Sequence, residues 1–269
     1  MLTTKDLSPL IGAQLIIDAD TLLAGTHADE IRQLLVKRGV LLIRGLNLRD
    51  DQLRTVTSTI GKVREGAMHE EKGMLKVSHI PGAQFWHLDG AYTDIPPFAT
   101  VLTARVLAKV GGQTEFANTY AAYEDLPADE QEYLAGLEVV HSMKAAMNHA
   151  VPEPTLEHFQ SWLGHQGTRP LVWQHRSGRR SLVIGATASY VVGMQAADSH
   201  ELLQRLLLHA TQPKFVYHHE WQLGDIVIWD NTGCMHRARP FDLESGRLMH
   251  RFAVEGTEPI AAVSVSQAA

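Results

Sequence analysis

The feature that most restricts how this chain can fold is the distribution of its apolar residues into short runs. Val40-Leu41-Leu42-Ile43 is continuous and ends at Gly45. Comparable runs follow at Phe85–Asp89, Ala99–Val106, Gln113–Ala117, Glu138–Met143, Leu171–His175, Ser181–Ile184, Lys214–His218, Asp225–Trp229 and Arg247–Val254. Short segments of this kind, separated by Gly and Pro, predict many strands closed into a sandwich or barrel. Helical spacing is confined to a few stretches: Asp29–Lys37, with Ile31, Leu34 and Leu35 on one face and Gly39 as a stop, then Asp51–Thr59, Tyr120–Leu126, Asp129–Leu137 and Ser199–Ala210. The fold class expected is mixed α/β, mainly β. No repeat or linker divides residues 1–269, so a single domain is expected. The stretch 145–167 stands apart, with Pro152, Pro154 and three histidines and no sustained period. A long structureless segment inside a domain is usually functional, and it is read as a lid-like insertion.

Composition removes several function classes. With 24 Lys+Arg against 30 Asp+Glu the net charge is −6, which argues against a nucleic-acid binder held by phosphate contacts. No apolar run approaches the ~18 residues of a membrane span, and the N-terminal residues lack a basic and then apolar leader, so a cytoplasmic protein is expected. One cysteine, Cys234, allows neither an internal disulfide nor a multi-cysteine zinc site, and it is read as a packed side chain.

The 15 histidines invite a search for metal ligands. A His and an acid two residues apart occur at His27/Asp29, His69/Glu71, His87/Asp89 and His218/Glu220. The first two lie at a helix start and in a charged run, and solvation explains them; His218 ends a strand and reads as structural. His87 and Asp89 instead sit in the aromatic-flanked run Phe85-Trp86-His87-Leu88-Asp89, where a strand would place both on one face. That is how two ligands of a 2-His-1-carboxylate iron site can be presented. A third, His236, arrives 149 residues after His87, beyond the strand that ends in Trp229-Asp230-Asn231. Further on, Arg247 and Arg251 share one face of a strand that is otherwise largely apolar. Two guanidiniums so placed require anions, either a bound carboxylate or the chain's own Asp and Glu.

Trp86-His87-Leu88-Asp89, Gly111-Gly112-Gln113-Thr114-Glu115-Phe116, Ala121-Ala122-Tyr123, Trp229-Asp230-Asn231-x4-His236-Arg237 and Arg247-x3-Arg251 together resemble the Fe(II)/2-oxoglutarate-dependent dioxygenases of the TauD/TfdA family, in order and spacing. The likeness spans about Val40 to Val254. Between Arg169 and Arg237 it is closer to the phenoxyalkanoate-cleaving branch than to taurine dioxygenase, on Arg169-Pro170-Leu171-Val172, Ser181-Leu182-Val183-Ile184-Gly185 and Ala210-Thr211-Gln212. The resemblance implies a double-stranded β-helix, a cupin-like jelly roll flanked by helices. It implies His87, Asp89 and His236 as iron ligands. Thr114 and Arg247 are implied on the distal carboxylate of 2-oxoglutarate, Arg251 on the substrate's anionic group or the cosubstrate, and Trp229 beside the metal. The implied reaction uses O2, splits 2-oxoglutarate into succinate and CO2, and hydroxylates a small organic acid; ether cleavage follows if the hydroxylated carbon bears an ether oxygen, and desaturation is a third outcome. Family halogenases lack the carboxylate ligand, so Asp89 points to hydroxylation. A homo-oligomer, dimer or tetramer, is common in the family.

The chain also departs from the family pattern. Thr232-Gly233 follow Trp-Asp-Asn where an arginine is common, and Ala83 stands where taurine dioxygenase has an asparagine, so taurine is not the expected substrate. Met143, Met147 and Trp162 are candidates for an apolar substrate wall, while His149, His158 and His165 are expected at the surface. Two other classes compete: a zinc hydrolase using the same three ligands, and a jelly-roll binding protein with a vestigial site. Thr114 with the arginine pair argues against the first, and an intact ligand set with a cosubstrate arginine against the second.

Overall fold

Val40–Ile43 and Ile226–Asp230 have alternate side chains in two different cores. Leu41, Ile43, Ile226 and Ile228 pack against helical residues Ile31, Leu35, Leu53 and Val56, while Val40, Leu42, Val227 and Trp229 pack inward with Phe116, Leu102 and Met249. Burial on both faces is why these strands read as unbroken apolar runs rather than alternating ones. The computed structural model describes residues 2–65 and 70–263. The His69/Glu71 pattern therefore lies partly outside the described residues.

The two strands belong to an eight-stranded sheet in the order Thr3–Asp6, Ala13–Ile16, Val40–Ile43, Ile226–Asp230, Ala99–Val106, Leu248–Val254, Met74–Val77 and Glu70–Glu71. Only Ala13–Ile16 with Val40–Ile43 is a parallel pair. Helices Ala28–Arg38 and Asp50–Ile60 cover its outer face. Across the inner core lies a three-stranded sheet, Val216–His219, Thr114–Asn118 and Cys234–Ala238. A second three-stranded sheet (Ala188–Val191, Glu138–Ser142, Gln166–Pro170) and the hairpin Val172–Gln174/Arg180–Leu182 extend the structure, backed by helix Ala196–Ala210. The result is mixed α/β and mostly sheet. Among the described residues no helix is long and apolar enough to cross a membrane.

Two sequence expectations need correction. The stretch 145–167 is not structureless: helices Met143–Ala150 and Leu156–Trp162 occupy most of it, followed by the start of Gln166–Pro170. Each helix is too short for a period to show, but each has a cap, Ser142 accepting from Ala145 N–H and Thr155 in a reciprocal pair with His158. The second correction concerns Phe85–Asp89, where a single bridge at His87 stands in place of a strand. Turns closed by Ala83 N–H to Ile80 and Phe85 N–H to Gly82 precede it, and Gly90, at φ +72°, turns the chain away immediately after Asp89.

Candidate metal centre and cosubstrate pocket

That single bridge joins the two histidines 149 residues apart in sequence. His87 N–H donates to the His236 carbonyl at 3.1 Å, and His236 N–H returns the bond to His87 at 2.9 Å. His236 is held from its other side by the strand Thr114–Asn118, opposite Phe116. Gly185 clamps the metal loop, since Ala186 N–H donates to the Trp86 carbonyl; a Cβ on Gly185 would lie 2.7 Å from that oxygen, and its φ of +113° already disfavours one. The imidazole centroids are 4.2 Å apart, and Asp89 Oδ1 lies 3.7 Å from His87 Nε2 and 3.8 Å from His236 Nε2. The same-face convergence of His87 and Asp89 thus holds without a regular strand.

The tautomer of His87 follows from its neighbours. Its Nδ1 is 2.8 Å from the Phe85 carbonyl, which only accepts, so Nδ1 carries a hydrogen and Nε2 is the ring nitrogen that faces Asp89. Burial acts to raise the Asp89 carboxyl, but Arg251, His236, His87 and a Thr100 hydrogen bond outweigh it and hold it at about 2. Burial, with His87 and Arg251 nearby, drives His236 well below the ordinary imidazole range despite the opposing pull of Asp89. At neutral pH the site therefore offers a carboxylate and a neutral His236 imidazole. One ligand atom from each of His87, Asp89 and His236 falls within 4.8 Å of the others. Two imidazoles and one carboxylate on one side fit non-haem Fe(II).

The arginines diverge. Arg251 donates from Nη2 to Asp89 Oδ2, so it meets the chain's own carboxylate. Arg247, just before the strand Leu248–Val254, is 6% exposed, lies over the Phe241 ring and donates to the Gly112 carbonyl at 3.2 Å. No carboxylate among the described residues pairs with it. Thr114 is buried, and its Oγ1 accepts from Trp221 Nε1 at 3.0 Å, which leaves the hydroxyl hydrogen for another partner. Trp221 was not singled out in the sequence, where a tryptophan beyond a strand end carries no signal. Trp229 stacks at a tilt 4.7 Å from the His236 ring.

All seven residues line one cavity of about 240 Å³. His87, Asp89, His236, Thr114, Arg247, Arg251 and Trp229 share its lining with apolar Val77, Ile80, Pro81, Leu102, Met143, Ala146, Met147 and Met249, the last lying between the two arginines in sequence. Met143 and Met147 face the cavity as expected, whereas Trp162 is buried elsewhere. His149, His158 and His165 are exposed, and Cys234 is buried and free.

A family model described as taurine catabolism dioxygenase TauD, TfdA family, matches residues 3–253. The chain belongs to this family. Among curated relatives, the TauD/TfdA chain described here is 32% identical over 280 residues to the alpha-ketoglutarate-dependent 2,4-dichlorophenoxyacetate dioxygenase of Cupriavidus pinatubonensis, covering 87% of this chain and 91% of that protein. It is 35% identical over 210 residues to the (S)-phenoxypropionate/alpha-ketoglutarate-dioxygenase of Sphingobium herbicidovorans, covering 74% and 72%. The crystal structure of AAD-2 in complex with Mn(II) and N-oxalylglycine superposes with a TM-score of 0.86 at 31% identity, covering 97% of this chain and 100% of that one. As a member of the family, the protein is an Fe(II)/2-oxoglutarate-dependent dioxygenase that uses O2. The zinc-hydrolase and binding-protein readings fall with that finding.

Proposed function

We propose that this dioxygenase oxidises a small organic acid with an apolar body, in the manner of the phenoxyalkanoate enzymes to which it is similar. The observation that carries the reading is the make-up of the cavity lining: three metal-ligand candidates and two arginines share it with apolar residues that include Ile80, Pro81, Met143 and Met147. We assign His87, Asp89 and His236 to the iron. The buried cation of Arg247 and the free hydroxyl hydrogen of Thr114 suit the distal carboxylate of 2-oxoglutarate, and N-oxalylglycine in AAD-2 has two carboxylates in the same relation. Arg251 is the remaining cation in the cavity lining and serves the substrate carboxylate or the cosubstrate. When bound, Fe(II), 2-oxoglutarate and O2 supply the oxidation, releasing succinate and CO2 and passing one oxygen atom to a substrate C–H bond.

The protein's own contribution is to place the reacting carbon and keep water away. The apolar lining orients the body of the substrate, while the acidic end points toward Arg251. Where the oxidised carbon bears an ether oxygen, the hemiacetal product collapses and the ether is cleaved. We read the two facing sheets as a double-stranded β-helix in a single domain, with the helices of 145–167 as a lid over the cavity. Met143, Ala146 and Met147, on one face of the first of these helices, are the part that faces the substrate.

Succinate formation across a panel of acids tests the reading. Aryloxyalkanoates and unbranched aliphatic acids should stimulate turnover of 2-oxoglutarate, and taurine should not. Stimulation by taurine alone would contradict it.

A further inference from the structure

The Asp89 carboxylate has two oxygens, and the surrounding chain treats them differently. Oδ1 faces the Nε2 atoms of His87 and His236. Oδ2 faces Thr100 Oγ1 at 3.4 Å and the Arg251 guanidinium. Thr100 lies in the strand Ala99–Val106, opposite Trp229 on one side and Ala253 on the other, and is fully buried.

The direction of every hydrogen bond behind Thr100 is fixed by chemistry. Trp229 Nε1 can only donate, and it lies 2.7 Å from Asn231 Oδ1. That sets the amide so that Asn231 Nδ2 donates to Thr100 Oγ1 at 2.8 Å. Arg251 Nη2 also donates to Thr100 Oγ1, at 3.3 Å. A threonine hydroxyl has two lone pairs and one hydrogen. With both lone pairs engaged, its hydrogen is directed to Asp89 Oδ2.

We propose that Thr100 and Asn231 are positioning residues that hold Asp89 Oδ2 away from the metal and aim Oδ1 at it. The proposal rests on the assignment of His87, Asp89 and His236 as the metal ligands. Asn231 acts through Thr100, because it touches Thr100 and Trp229 rather than Asp89. Its N–H donates to the Phe98 carbonyl at 2.9 Å, which ties the loop after the strand Ile226–Asp230 to the segment leading into Ala99–Val106. The position of the carboxylate is thus set by the pairing of two strands and not by the metal alone. Partners of metal-ligating groups in this position typically change metal affinity by about 10- to 100-fold when removed.

Mn(II), followed by the electron paramagnetic resonance signal of the free ion, is the probe. Thr100→Val keeps the side-chain volume and removes the hydroxyl; Thr100→Ser keeps the hydroxyl. The expected result is Mn(II) affinity at least ~10-fold weaker in Thr100→Val, with Thr100→Ser close to wild type. Asn231→Ala should weaken binding in the same direction. The double variant Thr100→Val/Asn231→Ala should lose much less than the two single losses combined, because the hydrogen-bond route from Asn231 to Asp89 runs through Thr100 and only Trp229, packed on His236, offers another path to the site. Thermal melts of the metal-free proteins provide the control. A fall in melting temperature with unchanged Mn(II) affinity would mean a purely structural role and would overturn the proposal, as would additive losses in the double variant. If wild-type protein fails to bind Mn(II), or His236→Ala binds it as tightly as wild type, the ligand assignment itself fails, an outcome separate from both of these.

Discussion

Replacing Arg247 with Met should uncouple cosubstrate binding from stability. The guanidinium is buried, has one backbone acceptor at 3.2 Å and an aromatic face beneath it, and pairs with no carboxylate among the described residues. Burial alone depresses its pKa, a sign that the charge is costly in the folded protein. Methionine fills most of the volume, removes the charge and forfeits the Gly112 contact, so stability should change by no more than about 1 kcal/mol. Binding of 2-oxoglutarate should suffer far more. A charge-assisted hydrogen bond contributes about 1.5–3 kcal/mol, and a forked pair sits at the upper end. A loss of about 3 kcal/mol corresponds to ~100-fold in Kd. Arg247→Lys, which retains the charge without the fork, should fall between, at ~10-fold. Calorimetric titration of Mn(II)-loaded protein with 2-oxoglutarate, beside a thermal melt, reads both quantities. A Kd within threefold of wild type, or a large stability loss with no change in affinity, would refute the assignment of Arg247 to the cosubstrate.

Other expectations can be checked with similar means. Trp221→Phe removes the donor to Thr114 Oγ1, leaves the threonine hydroxyl free to turn, and should weaken 2-oxoglutarate binding by roughly 2- to 10-fold in the same titration. Gly233→Ala would place a Cβ 1.7 Å from the Tyr120 ring, and denaturant unfolding should show a loss of about 3 kcal/mol or more. Acid stability should be steep but partly compensated. Burial depresses His141 to about 4 and His175 to about 3, so the unfolded chain takes up their protons first as pH falls below about 6.5 and stability is lost. Burial raises Asp230 to about 6, so the folded protein protonates first there and regains stability between about pH 6 and 4. Two losses against one gain leave a slope of about 1.4 kcal/mol per pH unit from these three groups. His175→Gln should flatten it between pH 6 and 4.5 in urea titrations; an unchanged slope would show that His175 does not titrate as its burial requires.

The proposed iron ligands were legible because a ligand set has a fixed chemistry, and its order and spacing along the chain are specific. The strands of the eight-stranded sheet were legible because burial on both faces leaves an apolar run, as at Val40–Ile43 and Ile226–Asp230. What failed was whatever depends on partners distant in sequence. His87 and Asp89 converge through one backbone bridge to His236 and a turn at Gly90, and neither can be told from a strand by alternation alone. The helices of 145–167 begin at side-chain caps, and eight and seven residues are too few to display a period. The opposite fates of Arg247 and Arg251 were also hidden. Their spacing is that of two equivalent side chains, yet only Arg251 reaches Asp89. Thr100 gave no sign at all, being one more β-branched residue inside an apolar strand.

The most direct test of the central assignment is an anaerobic optical titration of metal-free protein with Fe(II) and then 2-oxoglutarate. A weak visible charge-transfer band that requires both additions and vanishes in His236→Ala is the predicted result. Tight Fe(II) binding without such a band, or a band of full intensity in His236→Ala, would contradict the assignment of this site to iron and its cosubstrate.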